Sequence, residues 1–321
     1  MHTDLALLDG AGATAVGLTD ALSSAAGYAL AEKSDNTRRA YRSDLIAFST
    51  WCRGVGATAL PASGETVAAY LAFLADSGLT VSTIQRRAAA IAYSHKLSGL
   101  TSPLIDESVK AVLRGIRRTV GVASHGKAPA TANLIIKMIR KLPATLAGKR
   151  DRALILLGFA AALRRSELVA LAIADVERTG EGVFLHILRG KTDQEGLGAS
   201  IAVPAGGKLG VLEAVDEWIA AAGLVEGPLF RAIDRHGHVA DHALSDDVVA
   251  LVVKHAAKAA RLDPAAFSGH SLRAGFVTSA LASGADLFRI MDVTRHREVK
   301  TLRIYDRRAK AFDDHPGRKF L

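Results

Sequence analysis

Apolar residues recur with helical spacing through the first third of the chain. Four of them share one face of the first predicted helix: Tyr41, Leu45, Phe48 and Trp51. The run Ser34-Asp35-Asn36-Thr37 offers N-cap candidates for this helix, and Gly54 ends it. The same periodicity predicts three further helices, at residues 65–77, 82–97 and 108–119. The pattern therefore predicts a small all-α domain of four or five helices over residues 31–119.

The second part of the chain predicts a mixed domain. Helical periodicity covers most of it, at residues 131–142, 149–163, 210–222, 245–261, 270–283 and 286–294. Two strand-like runs, 183–188 and 199–203, are joined by a polar turn and predict a small antiparallel hairpin. Everything after Pro204 is predicted to be helical, including the segment that contains Tyr305. The predicted fold class is mainly α.

Composition marks the boundaries between these regions. Residues 1–30 are rich in small and polar side chains and predict a partly ordered leader, with one short helix at 18–32. Residues 120–130 contain glycines and Pro129, which predicts an extended linker before a domain at 131–321. The basic residues of this linker would suit a phosphate backbone, and a plain flexible connector is the alternative interpretation.

Charge and composition narrow the class of protein. The net charge is +9; residues 1–125 hold 12 basic and 10 acidic side chains, and residues 126–321 hold 29 and 22. This basic excess suits a polyanion as partner. The single cysteine, Cys52, excludes an internal disulfide framework and is expected to be a buried thiol. No apolar run approaches the ~20 residues that span a bilayer, and no signal peptide is apparent, so we expect a cytoplasmic protein.

Six polar residues in the second domain form a candidate site: Arg164, Lys191, His270, Arg273, His296 and Tyr305. His270 and Arg273 lie one helical turn apart, so both can project from one face. Such a set can neutralise a phosphodiester while a phenol attacks it, because fixed cationic donors stabilise the charge that develops on phosphate oxygens. Neither a metal-ligand spacing nor a carboxylate cluster accompanies the set, and no metal or other cofactor is expected.

The order and separation of these six residues resemble the tyrosine recombinase, or phage-integrase-like, family. Its pattern is Arg, Lys, His-x-x-Arg, His and Tyr, and residues 130–312 carry the match. The resemblance implies an N-terminal helical bundle, the SAM-like core-binding domain, followed by a mixed α/β catalytic domain. Together these would form a C-shaped clamp on double-stranded DNA. It also implies site-specific recombination without ATP.

The resemblance assigns roles to the six residues. Tyr305 would attack phosphorus and hold a 3′-phosphotyrosyl bond, and Lys191, in the polar turn, would protonate the departing 5′ oxygen. His270 would move a proton near the nucleophile, and His296 would donate a hydrogen bond to the phosphate. The two arginines would bind the phosphate oxygens.

Individually, each candidate has a more ordinary interpretation. Arg164 alone would be a surface arginine in an ion pair, and Glu167, one turn later, would be its helix partner. Within the pattern, Glu167 is expected to orient Arg164 without touching substrate.

Three positions depart from the family: Ala161-Ala162 replaces Thr-Gly, Ala274 replaces a frequent histidine, and Arg295 replaces a glycine before His296. The departures remove no catalytic group, but Arg295 could alter the packing of its turn.

Partners follow from the same resemblance. Candidate DNA contacts in the N-terminal domain are Arg38, Arg39, Arg42, Arg86 and Arg87, for which a solvated helix face is the alternative. Residues 309–321 would dock on a neighbouring protomer and build a homo-tetramer on two duplexes, with Phe312, Phe320 and Leu321 as anchors; a frayed terminus is the alternative. The sequence does not identify any accessory proteins.

Two other functions are alternatives to recombination: a type IB topoisomerase-like enzyme and a non-catalytic DNA-binding regulator.

Overall fold

Two units make up the chain in the computed structural model, residues 1–124 and 125–321. The structure describes residues 32–121, 126–188, 198–296, 298–299 and 302. The predicted leader with its helix at 18–32 and the predicted tail at 309–321 lie outside the described residues.

Four helices build the described part of the first unit: α1 (Asp35–Gly54), α2 (Gly64–Asp76), α3 (Val81–Leu97) and α4 (Glu107–Val120). Ser34, Ser63 and Thr80 cap the first three by accepting a hydrogen bond from a backbone N–H three residues on. The core consists of buried apolar side chains such as Phe48, Cys52, Tyr70, Leu71 and Ile84. The predicted helical domain and the buried thiol are thus confirmed.

Two buried polar side chains tie these helices together. The His95 ring on α3 donates from Nδ1 to the carbonyl of Ile91 (2.8 Å), and its Nε2 accepts the Ala62 N–H (2.9 Å). Asp44 on α1, only 4% exposed, pairs with Arg86 (2.6 Å) and Arg87 (3.6 Å) on α3. Burial raises the pKa of Asp44 against the opposing effect of the two arginines.

The α-helices of the second unit include α5 (Ala132–Ile139), α6 (Leu146–Ala160), α7 (Arg165–Ala170), α8 (Val211–Ala222), α9 (Asp246–Ala259), α10 (His270–Ala282) and α11 (Leu287–Thr294). Helix α6 is central, since every residue from 153 to 159 is buried. A helix that is apolar on all sides is covered by neighbouring elements on every side.

Two small antiparallel sheets complete this unit. The first has three strands in the order β1 (Val176–Arg178), β2 (Gly182–Ile187) and β3 (Ala199–Pro204). The predicted hairpin is confirmed as β2–β3, with Leu185 opposite Ile201 on the buried face. The prediction that everything after Pro204 is helical was wrong, because β4 (Arg231–Ile233) pairs with β5 (Val239–Ala243). A short, half-exposed hairpin with a bulge shows little alternation of apolar and polar residues.

Part of the predicted linker is docked on the second unit. The N–H of Ala128 donates to Ala266 O (2.8 Å), and that of Ala130 to Ser271 O (2.8 Å), one residue after the start of α10. Ala130 is fully buried. Gly275 on α10 permits this approach, since a Cβ there would lie 1.8 Å from the carbonyl oxygen of Ala130.

Replacing Gly275 with alanine is expected to destabilise the second unit by about 3 kcal/mol, at the upper end of overpacking costs, because the added methyl meets backbone. Urea unfolding followed by the fluorescence of Trp218, with Trp51 replaced by Phe, measures this unit separately; these are the chain's two tryptophans. Gly180→Ala, in the same unit, is the matched control, since a Cβ there meets nothing within 4 Å. Equal stability of Gly275→Ala and wild type would contradict the packing described.

Candidate active site

The guanidinium of Arg273 is held by carbonyl groups at the ends of two helices. Its Nη1 donates to the carbonyl oxygen of Ala162 (2.7 Å), just beyond α6, and its Nη2 donates to that of Thr294, the last residue of α11. Carbonyls at a helix C-terminus lack partners within the helix and carry partial negative charge, so they suit a cation. Arg273 projects from the first turn of α10 and is fixed before any substrate arrives.

His296 lies beside this arginine. Its Nε2 is 3.4 Å from Arg273 Nη2, and its Nδ1 is 2.7 Å from the hydroxyl oxygen of Thr294. That hydroxyl donates its own proton to the carbonyl of Ile290 (2.7 Å), so it must accept one from His296. The hydrogen-bond network therefore assigns the proton to Nδ1 and leaves Nε2 as an acceptor facing Arg273.

The ionisation of His296 is set by burial and by neighbouring cations. Burial first, and then Arg273, Arg164 and Arg295, lower the pKa of His296 to about 4. Its ring is therefore neutral at pH 7 in the folded chain.

We expect His296 to make the folded state acid-sensitive. Because its folded pKa lies below the value of about 6.5 for an unfolded chain, the unfolded state binds the proton first. Stability is lost as pH falls from about 7 to about 4. Long-range ¹H–¹⁵N NMR should find the proton on Nδ1 at pH 7, and His296→Asn should flatten the pH dependence of unfolding. A ring that titrates near 6.5, or carries its proton on Nε2, would contradict the network.

Glu167 joins two arginines at the other side of the cluster. It is 3% exposed, and its Oε1 accepts from Arg164 Nη1 at 2.6 Å. Its Oε2 accepts from Arg295 Nη2 at 2.5 Å and from the backbone N–H of Arg164 at 2.8 Å. Arg164 caps α7, so the carboxylate fixes both the backbone and the side chain of Arg164. Glu167 thus contacts Arg164, and its role in orienting that arginine towards substrate stays a prediction.

Two of the departures from the family pattern occupy left-handed backbone positions at the cluster. Ala162 has φ +48° and Arg295 has φ +56°, conformations that glycine adopts most easily. Ala162 presents its carbonyl to Arg273, and Arg295 directs the chain from α11 into His296. Both tight turns form without glycine, at a cost of roughly 1–2 kcal/mol per residue.

Of the three remaining site candidates, the structure describes one. His270 is the first residue of α10 and is exposed, one turn before Arg273. Lys191 and Tyr305 lie outside the described residues. The structure thus brings together Arg164, Glu167, Arg273 and His296. Sequence reasoning missed the contacts of Thr294 and Arg295; the arginine in place of glycine was the signal for the second, and nothing in the sequence pointed to the first.

The candidate DNA contacts form two groups in the first unit. Arg38, Arg39 and Arg42 are exposed along the first turns of α1. Arg38 and Arg42 line a groove of about 680 Å³ with the aromatic rings of Tyr41 and Tyr93. Arg86 is 43% exposed but pairs with Asp44.

Arg87 differs from the others, since it also donates to the hydroxyl of Tyr70 (3.0 Å) and its side chain is only 24% exposed. Its position suits a fixed support of the helix pair better than a phosphate contact.

The described residues form neither a metal site nor a membrane span. Among them, no group of three or more His, Cys, Asp or Glu side chains is arranged to hold a metal ion. No described helix combines the length and the apolar character needed to cross a membrane.

Comparison with known proteins agrees with this geometry. Residues 129–311 match the phage integrase family, and residues 27–97 match the phage integrase N-terminal SAM-like domain. An integrase/recombinase XerD homologue from Selenomonas ruminantium is 39% identical over 289 residues, covering 88% of this chain and 84% of the relative. The Cre recombinase of Escherichia phage P1 is 28% identical, covering 85% and 84%.

A similar fold occurs in the crystal structure of XerH site-specific recombinase bound to palindromic difH substrate, a post-cleavage complex. The TM-score is 0.59 at 18% identity, covering 78% of this chain and 70% of that one. The helical first unit and the mixed second unit with its arginine–histidine cluster thus define a recombinase-type protein. The chain belongs to the phage integrase family and is a tyrosine-type site-specific DNA recombinase.

Proposed function

We propose that this protein cuts and rejoins DNA strands through a 3′-phosphotyrosyl intermediate at Tyr305, without a metal ion or ATP. The Tyr305 oxygen attacks phosphorus, the bond from phosphorus to the 5′ oxygen breaks, and Lys191 gives that oxygen a proton. A 5′-hydroxyl then gives its proton to Lys191 and attacks the same phosphorus, the bond from phosphorus to the phenolic oxygen breaks, and Tyr305 regains its proton. Each bond broken is replaced by one of similar energy, so the cycle needs no external energy source.

The observation that carries the proposal is the clamp on Arg273. A pentavalent phosphorus carries negative charge on its non-bridging oxygens, and donors that are already fixed stabilise that charge without reorganising. Two helix-end carbonyls fix the guanidinium of Arg273, and Glu167 fixes that of Arg164. Guanidinium groups remain charged at any working pH and donate two hydrogen bonds at once.

Both histidines have roles in the same scheme. His270, at the exposed start of α10, would accept or return the proton of the Tyr305 hydroxyl. His296 would donate to a phosphate oxygen, for which its Nε2 must first take up a proton or receive it from Nδ1. An anionic phosphodiester favours this, because it offsets the three arginines that lower the pKa of His296.

The proposal includes double-stranded DNA as the partner. The exposed arginines of α1 would contact phosphates, with Arg86 after it releases Asp44. The solved Xer and lambda integrase relatives were captured on DNA sites, which supports the assignment. We also propose a homo-tetramer on two duplexes, joined by residues 309–321.

The experiment uses a duplex from the DNA that flanks the gene. A nick near the cut lets the short cleaved fragment dissociate, so that the covalent adduct accumulates. The wild-type chain should form a covalent protein–DNA adduct on a denaturing gel in EDTA without ATP, and Tyr305→Phe should form none. Tyr28→Phe, which removes a phenol that belongs neither to the candidate site nor to the candidate DNA contacts, is the matched control. Specific binding without any adduct would instead favour the non-catalytic DNA-binding regulator.

The tetramer has a separate test. A chain that ends at residue 308 should still form the adduct on one duplex but should not assemble as four copies on two, as measured by mass photometry. Tetramers formed by the shortened chain would contradict the role of residues 309–321, and efficient relaxation of supercoiled DNA by the monomer would favour the topoisomerase-like alternative.

A further inference from the structure

Arg295 is an unfavourable residue for the position that it holds. It follows the last residue of α11 with φ +56° and ψ +41°, and its N–H donates to Met291 O (2.6 Å). Glycine adopts this left-handed conformation without strain, whereas a side chain raises its free energy. For the backbone of this turn alone, glycine would serve better.

The side chain of Arg295 adds a second cost. It is 15% exposed, and Nη2 makes the 2.5 Å ion pair with Glu167 Oε2. Its other terminal nitrogen, Nη1, is buried and has no hydrogen-bond partner among the residues that the structure describes. A buried guanidinium nitrogen without an acceptor is destabilising. A strained and incompletely paired arginine indicates a role at the site more than a role in the fold.

The charges of the cluster show what that role is. Without Arg295, the described cluster would hold two guanidinium groups, those of Arg164 and Arg273, and one carboxylate, which is one net positive charge, since His296 is neutral at pH 7. Arg295 shares the carboxylate. Three guanidinium groups and one carboxylate leave two net positive charges. The pentavalent phosphorus of a phosphodiester reaction carries two negative charges on its non-bridging oxygens.

We propose that Arg295 is a positioning residue of the recombinase site, which holds Glu167 and through it Arg164, and keeps the cluster of Arg164, Glu167, Arg273 and Arg295 at two net positive charges. It acts without touching substrate. The inference rests on the proposed strand-cleavage function. It also explains how the turn tolerates an arginine where the family has a glycine: the Glu167 contact offsets part of the strain.

The test compares Arg295→Gly, Arg295→Met and Arg295→Lys in single-turnover cleavage of the nicked duplex at saturating protein. Arg289→Met is the matched control, because Arg289 is an 85% exposed arginine on the same α11 helix. We expect Arg295→Gly and Arg295→Met to lower the cleavage rate by about 10- to 100-fold, the range for loss of a group that orients a reactive side chain. DNA affinity should change by less than about threefold, and Arg295→Lys should recover part of the rate.

Further measurements separate a positioning role from a structural one. Arg295→Gly relieves the backbone strain. The urea concentration at its unfolding midpoint should therefore fall by less than it would if unfolding caused the loss of cleavage rate. In Arg295→Met the pKa of His296, followed by NMR without DNA, should rise because one of the cations that lower it is gone. Wild-type cleavage by Arg295→Met would overturn the proposal. So would a loss of rate matched by loss of DNA affinity and not recovered in Arg295→Lys.

The two proposals can fail separately. If the wild-type chain forms no adduct on a specifically bound duplex, the strand-cleavage function fails. The NMR titration still reports on Arg295 in that case, and an unchanged His296 pKa in Arg295→Met would overturn the electrostatic part of the inference by itself.

Discussion

Replacing Arg273 with lysine is expected to lower the rate of strand cleavage by about 100- to 1,000-fold, although the charge is retained. The guanidinium is planar and donates to the carbonyls of Ala162 and Thr294 from two different nitrogens. A lysine ammonium is a single point of charge that cannot keep both carbonyls and a bidentate phosphate contact.

Single-turnover cleavage of the nicked duplex measures this effect, with DNA affinity determined in parallel. Arg289→Lys on the exposed face of α11 serves as the control and should cleave as the wild type does. The salt dependence of DNA binding should be nearly the same for Arg273→Lys and wild type, because the net charge is unchanged. Cleavage by Arg273→Lys within a few-fold of wild type would show that the clamp has no catalytic importance.

Glu167→Ala is expected to cost about 3–5 kcal/mol of the free energy of unfolding of the second unit, the range for breaking a buried ion pair. The substitution leaves Arg164 and Arg295, each with a side chain 15% exposed, without their shared carboxylate and beside the cation of Arg273. It also removes the acceptor of the Arg164 N–H at the start of α7. Few domains have a total stability much above 5–15 kcal/mol, so the loss is large.

Urea unfolding followed through Trp218 in the Trp51→Phe background measures it. Glu177→Ala is the control, because Glu177 pairs with His186 at an exposed position where ion pairs contribute little. The double variant Glu167→Ala/Arg295→Met should be less destabilised than the sum of the single effects, since it leaves one unpaired cation fewer. Strict additivity, or a Glu167→Ala effect as small as that of Glu177→Ala, would contradict the shared ion pair.

Sequence patterns predicted the elements in which one side faces the core and the other side faces solvent. Helix α1 has one apolar face and a serine cap, and β2–β3 alternates buried and exposed positions, so periodicity located both. The β4–β5 hairpin was not predicted, because its residues are half exposed. Its turn is held by the Asp234 carboxylate, which accepts hydrogen bonds from the N–H groups of His236 and His238. An aspartate three residues before Gly237 was the available signal.

Other features depend on contacts that no local pattern encodes. Residues 126–130 have the composition of a linker, yet backbone hydrogen bonds to Ala266 and Ser271 dock part of this segment. The candidate site was predicted residue by residue from the family pattern, which contains no information on the tautomer of His296. That tautomer follows from a chain of hydrogen bonds through Thr294 to a helix carbonyl. Arg295 was recognised only as a departure; its partner, Glu167, lies 128 residues earlier in the sequence.

The most direct test of the account is the identity of the amino acid that carries DNA after cleavage. The adduct formed on the nicked duplex in EDTA would be digested with nuclease and protease, and the modified peptide sequenced by mass spectrometry. The account predicts a nucleotide joined through its 3′ phosphate to the phenolic oxygen of Tyr305. A nucleotide on any other residue, or linkage through a 5′ phosphate, would contradict it.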